Sequence, residues 1–124
     1  MAGKKVLIAD DEQEILEILE KKLKQNGYEV IAFLKGNDAL EAAKLHKPDL
    51  LILDIAIPGM DGYNVALALR EDAALKSTPI IFMTAKELEY SGVEKRLSEV
   101  GYCDFISKPC VFEDLLAKVR ELVG

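Results

Sequence analysis

The sequence is poor in the residues that build soft-metal and disulfide sites, with one histidine and two cysteines in 124 residues. Cys103 and Cys110 stand seven apart and follow no metal-ligand spacing, and a single histidine cannot complete a zinc site with them. They read as reduced thiols that fill core space. Long apolar runs are missing too. Stretches such as Leu50 to Leu53 fall far short of the roughly 20 residues a membrane-spanning helix needs. The start, Met-Ala-Gly-Lys-Lys, has no hydrophobic signal region. A cytoplasmic location away from membranes is therefore expected. Basic charge is also in deficit, 16 Lys and Arg against 22 Asp and Glu for a formal charge of −6. Such a chain should repel a nucleic-acid backbone, so direct nucleic-acid binding is not expected.

Half of the residues are hydrophobic and 31% are charged, with no long polar or Pro/Gly-rich interruption. That composition supports a real core and a single domain over residues 1–124. Val6 to Ala9 reads as a strand that stops at Asp10-Asp11-Glu12, where a helical pattern begins with Ile15, Leu16, Leu19 and Leu23 on one face. Asn26-Gly27 supplies a helix stop. A second strand, Glu29 to Phe33, leads past Gly36 to a helix carrying Leu40, Ala43 and Leu45, with Asn37 or Asp38 as its N-cap.

Leu50 to Leu53 is the strongest strand signal, a continuous apolar run of the kind found where both faces of a parallel strand are covered. It ends at Asp54. The turn Pro58-Gly59-Met60-Asp61-Gly62 precedes a helix from about Tyr63 to Glu71, and Pro79 precedes a fourth strand, Ile80 to Met83, ended by Thr84. A weaker helix is expected between Tyr90 and Val100. A short strand, Asp104 to Ile106, is closed by Ser107-Lys108-Pro109. In the final helix Phe112, Leu115, Leu116, Val119, Leu122 and Val123 recur at three and four residues and form an apolar stripe. Five strands alternating with five helices predict an α/β doubly wound fold with a parallel sheet and right-handed crossovers.

In such sheets ligands bind beyond the carboxyl ends of the strands. The residues there are Asp10 and Asp11 after strand one, Asp54 after strand three, Thr84 after strand four and Lys108 after strand five. Converging carboxylates repel unless something positive is present. Oxygen-only ligands with no nearby His or Cys point to a hard ion, and a partly hydrated Mg²⁺ suits a site that also handles phosphate. The Lys108 ammonium could pair with Asp54 at rest and with a phosphoryl oxygen afterwards, and the Thr84 hydroxyl could donate to another. Each residue alone has a plainer explanation: helix capping for Asp10-Asp11-Glu12, a strand end for Thr84, a solvated turn for Lys108. Asp54 is harder to dismiss, because Ile55 rather than a helix follows it. The coincidence of four signals on four strand ends at one sheet edge favours a shared site.

Four stretches carry a resemblance: Val6-Leu7-Ile8-Ala9-Asp10-Asp11-Glu12, Leu51 through Gly62 with its Asp54-Ile55-Ala56-Ile57-Pro58-Gly59-Met60, Met83-Thr84-Ala85-Lys86, and Phe105-Ile106-Ser107-Lys108-Pro109. In this order and spacing the chain resembles the response regulator receiver domain of two-component signalling over essentially its whole length, in a single-domain form like the chemotaxis regulators and with no output domain in this chain. The resemblance implies a flavodoxin-like (βα)5 fold with strand order 2-1-3-4-5. It implies Asp54 as phosphoacceptor, Asp11 as a direct Mg²⁺ ligand, Asp10 as a ligand through water, and Asp54 and the Ala56 backbone carbonyl as further ligands. It also implies Thr84 and Lys108 as the pair that senses the phosphoryl group, Phe105 as the aromatic that follows Thr84, and a cis Lys108-Pro109 peptide.

By the same resemblance the chain is a signalling receiver that catalyses only its own phosphorylation and dephosphorylation. Its upstream partner is a histidine kinase or a histidine phosphotransfer protein. Its downstream partner is a protein target or output domain, and a phosphorylation-dependent homodimer is compatible. The switched face comprises the helix predicted over 90–100, the last strand and the last helix. The chain departs from the family pattern in a stretch from Thr84 to Gly101 about two residues longer than usual, in Ala56 and Lys86 where the lifetime of the phosphorylated state is tuned, and in Tyr102-Cys103 before the last strand. Two other classes fit less well. A haloacid-dehalogenase-type phosphatase wants Asp-x-Asp after strand one, and a flavodoxin-like cofactor protein wants a glycine- and hydroxyl-rich phosphate loop where this chain has acids. A phosphorylation-independent interaction module on the same fold is a third alternative.

Overall fold

The computed structural model describes residues 4–85, 103–108 and 111–123. In it the apolar runs become a parallel sheet with helices on both faces. The strands are β1 (Lys5–Ala9), β2 (Glu29–Phe33), β3 (Leu50–Asp54), β4 (Ile80–Ala85) and β5 (Cys103–Lys108), and they lie in the order β2-β1-β3-β4-β5. The helices among the described residues are α1 (Gln13–Gln25), α2 (Gly36–His46), α3 (Gly62–Arg70) and a C-terminal helix, Phe112–Val123. The helix predicted over Tyr90 to Val100 falls outside the described residues. No helix among them is long and apolar enough to cross a membrane.

Side chains that alternate along each strand sort the core into two layers. Leu7, Ala9, Leu51, Leu53, Ile80 and Phe82 face α2 and α3, where Ala39, Ala43, Val65, Ala66 and Leu69 are buried. Val6, Ile8, Leu50, Ile52, Ile81 and Met83 face α1 and the C-terminal helix, and meet Leu16, Leu19, Leu23, Leu115, Leu116 and Val119. The aliphatic run of β3 is continuous because both of its faces are covered, and all five of its residues are buried. Each such leucine or isoleucine contributes roughly 1.5–3 kcal/mol of burial.

The helix ends follow from local chemistry. α1 closes in a Schellman arrangement: the Gly27 N–H donates to Lys24 O at 3.1 Å and the Tyr28 N–H to Leu23 O at 3.2 Å. Gly27 sits at φ 91. α3 opens on Asp61, whose carboxylate accepts from the Asn64 N–H at 2.8 Å. The opening of α2 differs from expectation. Its N-cap is Lys35, with no side-chain capping bond, and neither Asn37 nor Asp38 serves, because both already lie inside the helix. Gly36 can open the helix two residues earlier because its N–H donates to Pro58 O at 3.0 Å, which satisfies a donor that a capping side chain would otherwise take. Leu45 is likewise not on the buried face; it is 77% exposed, and Ala39, Ala42 and Ala43 do the packing.

Candidate active site at the carboxyl edge of the sheet

The register of the sheet decides which strand-end residues become neighbours. β1 and β3 are adjacent and in register, with Ala9 beside Leu53. Asp10 and Asp54 are the next residues along these two strands, on adjacent backbones about 5 Å apart. By the same alternation both lie on the face of Ile8 and Ile52. Both are fixed by their ladders. The Asp10 N–H donates to Phe33 O of β2 at 3.1 Å, and the N–H of Ile55, just past Asp54, donates to Met83 O of β4 at 3.0 Å.

Both carboxylates are buried, Asp10 fully and Asp54 at 4% exposure. Buried carboxylates need donors or positive charge around them. Asp10 Oδ1 accepts from the Glu12 N–H at 2.9 Å, and Asp54 Oδ1 accepts from the Ala56 N–H at 3.1 Å. Each acid thus closes a tight turn on the backbone two residues on, which aims it rather than leaving it to rotate. The turn at residues 10–12 gathers three carboxylates: oxygens of Asp10, Asp11 and Glu12 all lie within 4.8 Å of one another, with Asp11 and Glu12 exposed and Asp10 buried. Glu12 is the member that sequence reading left out, and Asp54 is not a member of this mutual group. The donor set is all hard oxygen, which fits Mg²⁺ or Ca²⁺ and not a thiophilic ion. Glu12 is also the N-cap of α1, yet its side chain makes no capping bond; helix capping therefore does not account for it.

The other strand-end residues are placed by backbone. Asp54 pairs with Met83, so Thr84 is the next residue along β4; Thr84 pairs with Ser107 and Ala85 with Lys108 on β5. Asp10, Asp54, Thr84 and Lys108 thus belong to one edge of one sheet. The side chains of Thr84, Phe105 and Lys108 are outside the described part of the chain, as are Lys86, Tyr102, Pro109 and Cys110 and with them the expected cis peptide.

The family model for the response regulator receiver domain matches residues 6–120. Solved structures agree with it. The chemotaxis response regulator CheY4 of Vibrio cholerae is 30% identical, with a TM-score of 0.88 and coverage of 98% of this chain and 99% of that one. The signal receiver domain of a signal transduction histidine kinase from Syntrophus aciditrophicus is 32% identical, with a TM-score of 0.86 and coverage of 97% and 89%. The receiver domain of a sensor histidine kinase from Pseudomonas aeruginosa PAO1 is 26% identical, with a TM-score of 0.87 and coverage of 99% of each chain. That last structure carries a magnesium ion coordinated in its active site cleft.

Proposed function

Because the chain belongs to the response regulator receiver domain family of two-component signalling, we propose that it accepts a phosphoryl group on Asp54 from a phosphohistidine and passes the change on through a protein surface. The observation that carries this reading is the register of β1 and β3, which sets Asp54 beside Asp10 and the acidic turn 10–12 at the carboxyl edge of the sheet. A carboxylate oxygen of Asp54 attacks phosphorus in line. The O–P bond forms as the P–N bond to the donor histidine breaks, and the electron pair returns to the imidazole.

Asp10, Asp11 and the Ala56 carbonyl, together with Asp54 itself, are the residues that would hold Mg²⁺, and Glu12 adds a further oxygen. When bound, the ion neutralises the charge of the carboxylates and of the incoming phosphoryl oxygens. The Ala56 N–H donates to one Asp54 oxygen and so orients the carboxylate. Thr84 and Lys108 donate to the transferred group, and Phe105 relays the motion of Thr84. The added charge of about −2 shifts the population of conformations at the face formed by residues 90–100, β5 and the C-terminal helix. In this reading the fold is a (βα)5 unit in the cytoplasm, served by a histidine kinase or phosphotransfer protein and read by a protein target, an output domain or a second copy. It turns over no substrate beyond its own phosphorylation and dephosphorylation.

Intact-mass measurement after incubation with acetyl phosphate and Mg²⁺ tests this directly. One labile phosphoryl adduct is expected on the parent and none on Asp54→Asn; an equal adduct on that variant would overturn the assignment. Lys108→Ala should keep some adduct while the Phe105 ring resonances stop responding to it.

A further inference from the structure

The loop that follows Asp54 is shaped by backbone contacts with glycine. Its base is closed by the Gly62 N–H, which donates to Ile55 O at 3.0 Å. A Cβ on Gly62 would come within 2.5 Å of the Asp54 carbonyl oxygen. Its tip is held from the opposite side by the first turn of α2. There the Gly36 N–H donates to Pro58 O at 3.0 Å, and a Cβ on Gly36 would land on the Met60 carbonyl, inside any permitted contact. Gly59 has φ 86, open to glycine at little cost, and a Cβ there would collide with Asn37 Oδ1. The same loop carries Ala56, whose N–H orients the Asp54 carboxylate.

We infer that Gly36, which lies outside the acidic cluster, is a positioning residue for phosphoryl acceptance: the first turn of α2 sets the 55–62 loop and, through the Ala56 N–H, the direction of the Asp54 carboxylate. The inference rests on the reading of Asp54 as acceptor. Its physical core is a choice about what yields. α2 is pinned by Ala39 and Ala43, both fully buried, whereas Pro58 and Gly59 are exposed. A methyl group added at Gly36 meets backbone rather than a flexible side chain, so the loop moves. In-line transfer is sensitive to such movement, since a displacement of about 1 Å can cost on the order of 10²-fold in rate.

The test compares Gly36→Ala with Gly27→Ala. The second variant places alanine at φ 91 with no atom within 4 Å of its Cβ, so it strains the fold far from the loop. The Ala56 amide resonance is recorded without metal and during a titration with Mg²⁺ alone. The initial rate of adduct formation from acetyl phosphate is measured below each variant's unfolding transition. Gly36→Ala should displace the metal-free Ala56 resonance and slow the adduct about tenfold or more, while Gly27→Ala keeps the parental resonance and rate. Asn37→Ala keeps the proposal falsifiable should Gly36→Ala fail to fold: it removes the amide beside Gly59 and should displace the metal-free Ala56 resonance with a smaller loss of rate. Parental behaviour in the α2 variants, or equal slowing in Gly27→Ala, would overturn the clamp. A parent chain that accepts no phosphoryl group would instead overturn the reading of Asp54, and the metal-free Ala56 resonance would still report on the clamp.

Discussion

The interior of the sheet and its carboxyl edge are made from the same strands and obey opposite rules. Within β1 and β3 every inward residue from Val6 to Ala9 and from Leu50 to Leu53 is fully buried and aliphatic, and its contribution is burial. One residue further along each strand, Asp10 and Asp54 are buried carboxylates, and a carboxylate oxygen of Asp10 lies within 4.8 Å of those of Asp11 and Glu12, a crowding that adds repulsion rather than stability. The contrast teaches that the edge is built for something other than folding. Variants of the interior should therefore lose stability and keep chemistry, and variants of the edge should do the reverse.

The sharpest way to break that contrast is Leu51→Ala, at a fully buried position. Chemical denaturation should show a loss of roughly 2–5 kcal/mol, while the folded fraction still forms the adduct. Next comes Asp11→Asn, exposed and within the acidic cluster. Calorimetric titration should show Mg²⁺ binding weakened at least about tenfold, a difference of roughly 1.4 kcal/mol, with the denaturation midpoint at or above the parent's. Asp61→Ala removes the cap of α3 and should cost about 1 kcal/mol of stability in thermal unfolding, with Mg²⁺ affinity unchanged. The smallest effect is expected for Asp104→Asn. It breaks the 2.8 Å pair with Lys118 that ties β5 to the C-terminal helix, but both side chains keep solvent contact, so a loss under about 1 kcal/mol that shrinks further in salt is expected. A stability loss in Asp11→Asn as large as that of Leu51→Ala would erase the distinction.

Periodicity made most of the fold readable because the residues that carry it have a single job. Glu29–Phe33 was expected as a strand and has those limits, and the last helix begins at Phe112 as its stripe requires. The placement of Asp10 and Asp54 at neighbouring strand ends was readable because each acid follows directly on an aliphatic run. Three features were not. Glu12 joins Asp10 and Asp11 only through a turn that folds the chain back on the Asp10 carboxylate. The start of α2 at Gly36 depends on the carbonyl of Pro58, a contact between distant segments that no local capping signal encodes. Leu45 satisfied the apolar pattern yet lies off the face of α2 that Ala39, Ala42 and Ala43 bury. In each case the missing information is tertiary; Gly36 was visible as punctuation, but what its missing side chain makes room for was not.

The most direct measurement of the central claim is residue-level mapping of the phosphoryl group. Acetyl phosphate labelling with and without Mg²⁺, followed by borohydride reduction and peptide sequencing by tandem mass spectrometry, converts an aspartyl phosphate to homoserine where it stood. The account predicts homoserine at position 54 alone and only when Mg²⁺ was present. Reduction at position 10 or 11, or labelling at 54 that ignores the metal, would contradict it.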